Sequence, residues 1–368
     1  MKILLFDNSG MISSGNDFLV ETKTGNFAKE LKNLGNEITF FGQKLPPFDN
    51  TVHVFGIKQN GMKVDGLKRR KNKVLNYFLL YLKVIPAVLK TDFVYIFYPT
   101  SFKYVAILSK LFGKKYGLYI RGMQGLNDRV SRWIYKNAYT IFTVSDYFTQ
   151  FVNSIVGKNI ANTIRPMIPF DEKDIVTNRE YKEKDIYNIL FLGRLDKEKG
   201  LEELLKAAYI LKKQKKNFIL TIVGDGEFMG KVKEIANNLE IENLVEFTGA
   251  IYNSSEIKEC YQNSDIYILP TYHEGFPRTL YEAMIFGLPI ITTFVGGIPA
   301  LMKNNYNCLE IKPKSVDSIV ENLTWVINNY HQMEKFAIEA SKTVTQVLGT
   351  KKFSHAEDLN NKLRELIK

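Results

Sequence analysis

Short apolar runs recur along the chain, separated by stretches whose apolar positions repeat every three or four residues, the helical spacing. In the first half the runs are Lys2–Asp7, Glu37–Phe41, Val52–Phe55, Phe93–Phe97, Gly117–Ile120 and Thr140–Val144, and the helical stretches are Thr24–Leu34, Lys73–Lys90, Lys103–Leu111 and Arg129–Asn137. Most of these runs lack a polar alternate face, as strands do when helices cover both sides of a parallel sheet. Strand alternating with helix predicts a doubly wound α/β unit.

The pattern then restarts. Pro166, Pro169 and the charged stretch 171–185 read as a linker. After it come runs at Asn188–Gly193, Phe218–Val223, Leu244–Thr248, Asp265–Leu269 and Pro289–Thr293, alternating with helical stretches near Gly200–Lys213, Ser254–Gln262 and Arg278–Phe286. Late helices are predicted at Asn322–Gln332, Glu334–Leu348 and Lys351–Ile367. The predicted fold class is α/β: two Rossmann-like domains, 1–170 and 171–350, facing a central cleft, with a terminal helix over 351–368. Ligands of such sheets bind at the carboxyl ends of the strands.

A length of 368 residues suits two domains rather than one, and 45 % apolar residues exclude wholesale disorder. Two distant cysteines and four scattered histidines offer neither a disulfide framework nor zinc-ligand spacing. The start of the chain reads as a buried strand, so a secretory signal is not expected. Lys83 interrupts the most apolar window, Tyr77–Leu89, which is shorter than a membrane-spanning helix. A cytoplasmic location is expected.

Charge adds an asymmetry. Residues 1–170 carry 24 Lys+Arg against 10 Asp+Glu, whereas residues 171–368 carry 26 against 29. The first half therefore faces something anionic. No motif organises its aromatics for RNA, so nucleic acid is not the expected partner. Lys68, Arg69, Arg70, Lys71 and Lys73 directly precede the apolar segment Val74–Leu89, an arrangement suited to peripheral attachment at an anionic membrane or, alternatively, to a solvated loop before a buried helix.

The candidate chemistry lies in the second half. In Thr271–Pro289, Glu274 and Gly275 occupy a loop beyond a strand, and Pro277 and Arg278 open a helix whose free N–H groups and positive dipole end suit an anion. Glu274 would reach hydroxyls beside that anion, and Glu282 would accept bonds from a separate diol. A nucleotide-sugar, with phosphates between two polyols, fits this arrangement, although a plain surface loop also accommodates two glutamates eight apart. Arg194 and Lys199, in the loop after Asn188–Leu192, supply the two cations a diphosphate needs. Gly224 and Gly226 mark a tight turn close to a ligand or to a neighbouring loop, with Asp225 a candidate helix cap. Gly249 occupies the equivalent place after the next strand, where backbone would read a nucleobase edge. Gly296-Gly297 permits close backbone approach or forms a simple turn. Neither a G-x-G-x-x-G dinucleotide fingerprint at the first strand nor Walker A spacing occurs.

These pieces, Gly193-Arg194-Leu195 with Lys199-Gly200, Gly224–Gly226, Glu274-Gly275-Phe276 with Glu282-Ala283, and Gly296-Gly297-Ile298-Pro299, resemble the retaining nucleotide-sugar glycosyltransferases of family 4, the glycosyl transferases group 1. The resemblance implies a GT-B architecture with a donor-binding second domain, an acceptor-binding first domain and a terminal helix that crosses back to the first. It implies that Arg194 and Lys199 hold the donor diphosphate, that Glu274 and the backbone near Phe276, Pro277 and Arg278 hold the sugar and phosphate, that Glu282 contacts the ribose, and that no metal or cofactor is required. The donor would be a UDP-sugar or another nucleoside-diphosphate sugar, of hexosyl or N-acetylhexosaminyl type. The acceptor would be a glycan or a polyprenyl-diphosphate-linked chain of a surface polysaccharide or glycolipid. The first domain departs from the family pattern: Gly10 and Gly15 stand apart where a glycine pair is usual, and no histidine follows a middle strand, where Arg121 is the nearest candidate. A sugar-nucleotide epimerase of similar fold and a catalytically silent nucleotide-sugar-binding scaffold are the competing readings.

Overall fold

A computed structural model of the chain describes residues 1–47, 53–122, 126–275 and 277–367. It divides into two compact units, Met1–Arg165 with Phe353–Lys368, and Pro166–Lys352.

The strands of the first unit are β1 (Lys2–Phe6), β2 (Met11–Ser14), β3 (Asp17–Glu21), β4 (Glu37–Leu45), β5 (His53–Gly56), β6 (Lys63–Lys68), β7 (Phe93–Tyr98), β8 (Lys115–Ile120), β9 (Thr140–Thr143) and β10 (Ala161–Thr163). They form one sheet in the order β10-β9-β8-β7-β1-β4-β2-β3-β5, with β6 also paired to β4. Every pairing is parallel except the two made by β3. All six residues of β7, Phe-Val-Tyr-Ile-Phe-Tyr, are buried, as a central strand covered on both faces requires. The helices are α1 (Thr22–Asn33), α2 (Lys73–Leu89), α3 (Val105–Leu111), α4 (Arg129–Asn137) and α5 (Asp146–Val156).

Four strands of this unit escape the hydrophobic pattern. The β2–β3 hairpin is short and half polar, and is closed by the two-residue turn Gly15-Asn16 between the partners Ser14 and Asp17. Strand β6 runs into the basic cluster that begins at Lys68, a region with no apolar run; its Lys63, Val64 and Asp65 pair with Thr39, Phe40 and Phe41. The edge strand β10 has three residues; α5 before it, absent from the predicted helices, has Phe148, Phe151, Val152, Ile155 and Val156 at helical spacing and ends at an αL glycine, Gly157.

In the second unit the strands are β11 (Tyr187–Leu192), β12 (Phe218–Val223), β13 (Val245–Gly249), β14 (Ile266–Leu269), β15 (Ile290–Thr293) and β16 (Leu309–Ile311). They form an all-parallel sheet in the order β13-β12-β11-β14-β15-β16. Its helices are α6 (Leu201–Lys213), α7 (Met229–Asn238), α8 (Ser254–Gln262), α9 (Arg278–Ile285), α10 (Val316–Asn328) and α11 (Met333–Thr350). The chain leaves β11 toward β12 and β13 on one side and resumes at β14 on the other. The strand order therefore reverses between β11 and β14, the place where an open α/β sheet offers a ligand crevice.

The charged stretch 171–185 is not a linker but part of this unit. Val176 N–H donates to Ile285 O at 2.8 Å, Arg179 to Phe286 O at 3.1 Å and the Tyr181 hydroxyl to Gly287 O at 2.6 Å. The unit begins at Pro166 rather than at 171 because Phe170 packs edge-on against Phe286, 4.8 Å between ring centres. The last helix, α12 (His355–Arg364), starts later than Lys351 because α11 runs to Thr350 and Ser354 caps α12 in a reciprocal box with Glu357. It docks in the first unit, where Asn36 donates to Asn360 Oδ1 at 2.9 Å and Tyr139 to Lys362 O at 3.2 Å.

Candidate functional site

Around the β11/β14 switch point four loops are bound into one framework. Gly193 N–H donates to Val223 O and Leu195 N–H to Asp225 O, each at 3.0 Å; Gly224 N–H donates to Gly249 O at 2.8 Å. Of the two roles open to Gly224, the structure shows loop against loop: with φ +142°, a Cβ there would stand 1.8 Å from Gly193 O. Gly296 serves the same purpose on the other side, where a Cβ would lie 1.7 Å from Glu274 O and Gly297 N–H donates to Gly275 O at 3.0 Å. Asp225 does not cap a helix; it accepts from Gly226 N–H at 2.7 Å, and α7 starts only at Met229. Gly249 contributes its carbonyl to Gly224, and Gly10, in the first unit, lies against the Leu45 side chain.

Within this framework Lys199 Nζ and Glu274 Oε1 form an ion pair, each side chain 16 % exposed. Lys199 ends a short 3₁₀ turn after β11, and Glu274 stands in the loop after β14. The loops are joined by backbone as well, since Tyr272 N–H and the Thr271 hydroxyl both donate to Glu198 O, at 2.7 and 3.1 Å. Two charges are thus held partly desolvated at the carboxyl ends of the two central strands, where their field on a ligand is least screened.

Pro277 is the residue before α9 rather than its first helical residue, with extended backbone angles, and α9 begins at Arg278. Among the described residues no side chain caps this end of α9. Arg278 donates to Met167 O at 3.2 Å, which anchors the helix start to the beginning of the unit. Phe276 lies outside the described residues. Glu282 is buried on α9 and accepts from the Tyr261 hydroxyl at 2.8 Å. Burial, followed by the Glu282 carboxylate, holds the Tyr261 phenol far above its ordinary pKa, so it remains a donor. Tyr267, on β14, donates to Thr279 Oγ1 at 2.5 Å; burial, and the carboxylates of Glu282 and Glu274, push its phenol up as well.

The structure therefore brings Lys199, Glu274 and the Glu282 helix to one end of the sheet. It does not bring Arg194 into that group: the guanidinium is 75 % exposed and pairs with Asp196 of its own loop at 2.5 Å. Arg121 lies in the first unit at the ends of β1, β7 and β8. It is 2.8 Å from Asp7, 3.8 Å from Glu21 and stacked over Phe97, which makes it an inter-loop ion pair there. Sequence reasoning missed Tyr261 and Tyr267; both are fully buried, Tyr261 on the mostly polar helix α8 and Tyr267 in the apolar strand β14, and only the need to satisfy a buried hydroxyl marks them. Among the described residues no cluster of three His, Cys, Asp or Glu is arranged to hold a metal, and no helix is long and apolar enough to cross a membrane.

Comparison with known proteins bears on the fold and the family. Residues 172–343 match the family model Glycosyl transferases group 1. An uncharacterized glycosyltransferase of Methanocaldococcus jannaschii, MJ1607, is 29 % identical over 216 residues, 55 % of each chain. The amylovoran biosynthesis glycosyltransferase AmsK of Erwinia amylovora is 35 % identical over 123 residues, 32 % of this chain and 30 % of AmsK. The chain spans about half the length of MJ1607 and of two further uncharacterized glycosyltransferases, one from Haemophilus influenzae and one from Methanocaldococcus jannaschii, from 46 to 58 %. The crystal structure of Anabaena Alr3699/HepE in complex with UDP-glucose superposes with a TM-score of 0.70 at 18 % identity, over 98 % of this chain and 99 % of that one. That likeness is one of fold, and the fold is GT-B: two α/β units, each built on its own sheet.

Proposed function

We propose that the protein is a glycosyltransferase that moves a hexosyl or N-acetylhexosaminyl group, with retention, from a nucleoside-diphosphate sugar to a glycan or polyprenyl-diphosphate-linked acceptor in surface polysaccharide or glycolipid synthesis. The observation that carries this reading is the Lys199–Glu274 pair at the β11/β14 switch point, next to the start of α9. A diphosphate bound there would take Lys199 as its counter-ion, releasing Glu274 to accept from sugar hydroxyls. Arg194, exposed and held at Asp196, would turn onto the same phosphates. The amide groups at Pro277–Arg278 would face the phosphate nearest the sugar, and Glu282, its carboxylate oriented by Tyr261, would accept from the ribose. HepE is seen in complex with UDP and with UDP-glucose, which supports a UDP-sugar donor, and AmsK is named a glycosyltransferase of amylovoran biosynthesis, which supports sugar transfer in a biosynthetic route.

In the reaction the bond from the anomeric carbon to the diphosphate oxygen breaks. The acceptor oxygen bonds to that carbon on the same face, and the acceptor proton passes to the departing phosphate oxygen. Lys199, Arg194 and the α9 amides offset the charge that develops on the leaving group, so the positive charge comes from the chain itself without a metal or cofactor. The enzyme would work in the cytoplasm, peripherally at the inner face of the membrane. Nucleoside-diphosphate release measured over a panel of donors and lipid extracts tests the reading. Acceptor-dependent release that collapses in Glu274→Ala and Lys199→Ala is expected; undiminished turnover in both folded variants would overturn the site.

A further inference from the structure

We propose that the outward face of α2 and α3 is a docking surface for an anionic lipid bilayer. Helix α2 has two apolar faces where packing needs one. Leu80, Val84 and Val88 are buried in the core of the first unit. A second stripe, Leu75, Phe78, Leu82 and Leu89, repeats at the same helical spacing and is exposed, Phe78 by 61 % and Leu82 by 50 %. Helix α3 continues it with Tyr104 at its start and Leu111 at its end, the latter 73 % exposed. Between the two helices runs an open groove of about 390 Å³, lined by Phe78, Leu82, Ile85, Tyr104, Ile107 and Leu108. Tyr81 holds the helices together beneath it, its ring edge-on to Tyr104 at 6.3 Å and its hydroxyl donating to Ser101 O at 2.9 Å.

Charge identifies the occupant. Residues 66–127, which contain both helices, hold twelve Lys and Arg and one acid, Asp92. Lys68, Arg69, Arg70, Lys71 and Lys73 are exposed at the start of α2, and among the described residues none of the five forms an ion pair. Lys90 and Lys110 are exposed at the far ends of α2 and α3. An apolar stripe with cations at both ends matches the acyl layer and anionic headgroups of a bilayer surface. A second copy docked through the same face would set these cations against one another. At 17 residues α2 would lie in the interface, not across it.

The experiment uses the full chain and two vesicle types, phosphatidylcholine alone and with about 30 mol % phosphatidylglycerol. Salt-sensitive partitioning to the anionic vesicles alone is expected. Phe78→Asp/Leu82→Asp should weaken it at least about tenfold, and Arg69→Glu/Arg70→Glu should both weaken it and flatten its salt dependence. A Leu82→Trp variant should shift its added emission to the blue on vesicles and be quenched by brominated acyl chains, a response a purely electrostatic contact would not give. Equal binding to neutral vesicles, full binding by Phe78→Asp/Leu82→Asp, or a concentration-dependent dimer that this pair abolishes would overturn the proposal. Nucleotide-sugar affinity, measured by calorimetry without vesicles, should be the same in all variants. Its absence in the parent protein would overturn the proposed function and leave the docking surface standing.

Discussion

Lys199 and Glu274 meet across the β11/β14 switch point, and each is the nearest counter-charge the other has in the second unit. Neither loop alone makes the arrangement. Lys199 is set by the 3₁₀ turn after β11, Glu274 by the crossing of Gly296 against its carbonyl, and the two loops are tied by Glu198 O. In the proposed reaction the pair is a resting contact that a diphosphate replaces, so its members act as a unit.

Glu274→Gln and Lys199→Met should each lower kcat/KM by about a hundredfold or more, because each removes charge aimed at the transition state. The double variant should lose much less than the product of the two. Single and double kcat/KM values over one donor, with circular dichroism to establish folding, give the coupling. Strict additivity would mean that the two residues act separately.

Tyr261→Phe removes the phenol that donates to the buried Glu282 carboxylate. Losing a donor to a buried charged group should cost about 1–3 kcal/mol of stability. If Glu282 receives the ribose, donor affinity should fall several-fold while kcat at saturation changes little. Urea titration and calorimetry with a nucleotide-sugar check the two halves. Unchanged affinity with lowered stability would assign Tyr261–Glu282 to structure alone.

Gly296→Ala should displace the Glu274 loop without touching a charged group. The added methyl meets the Glu274 carbonyl, and φ of +59° is a conformation alanine adopts at a cost of about 1 kcal/mol or more. A Tm lowered by about 2–4 °C or more, with donor affinity reduced alongside it, is expected. A normal Tm and normal affinity would show that the loop yields freely.

What was legible in the sequence follows from where the information is local. Five of the six strands of the second unit were readable, most of them as apolar runs, while β16, three residues with Glu310 in the middle, was not; the loop positions of Glu274, Lys199 and Arg194 were readable from their offsets after strand ends. Their pairing was not readable. That Lys199 meets Glu274 while Arg194 turns to Asp196 depends on loop crossings that Gly224 and Gly296 permit, and these glycines mark closeness without naming the partner. In the first unit, β6 hid in a basic stretch because half of its residues are polar, and the stretch 171–185 looked like a linker because its anchors, Val176, Arg179 and Tyr181, bind backbone carbonyls that no pattern announces.

His355 gives the fold a pH dependence whose sign is fixed. Its ring is fully buried in the first unit, stacked on Phe27 with 4.4 Å between ring centres and 4.4 Å from Tyr119, and Nε2 shares a 2.6 Å hydrogen bond with the Tyr95 hydroxyl. Nδ1 is buried without a hydrogen-bond partner, so a second ring proton would be unsatisfied, and the residue opens α12, where the helix dipole opposes positive charge. Burial pushes its pKa down to about 3 from an ordinary 6.5. The unfolded chain therefore binds a proton that the folded chain refuses, and the contribution of His355 to stability is full above pH 6.5 and lost as pH falls from there toward 3. Over that window the loss approaches about 1.4 kcal/mol per pH unit. In His355→Phe, the urea midpoint should be lower at pH 8, because the Tyr95 hydroxyl loses its partner, yet it should fall less steeply between pH 6 and pH 4. The carboxylates common to both proteins cancel in the difference. Parallel curves would mean that the folded chain accepts the proton on His355.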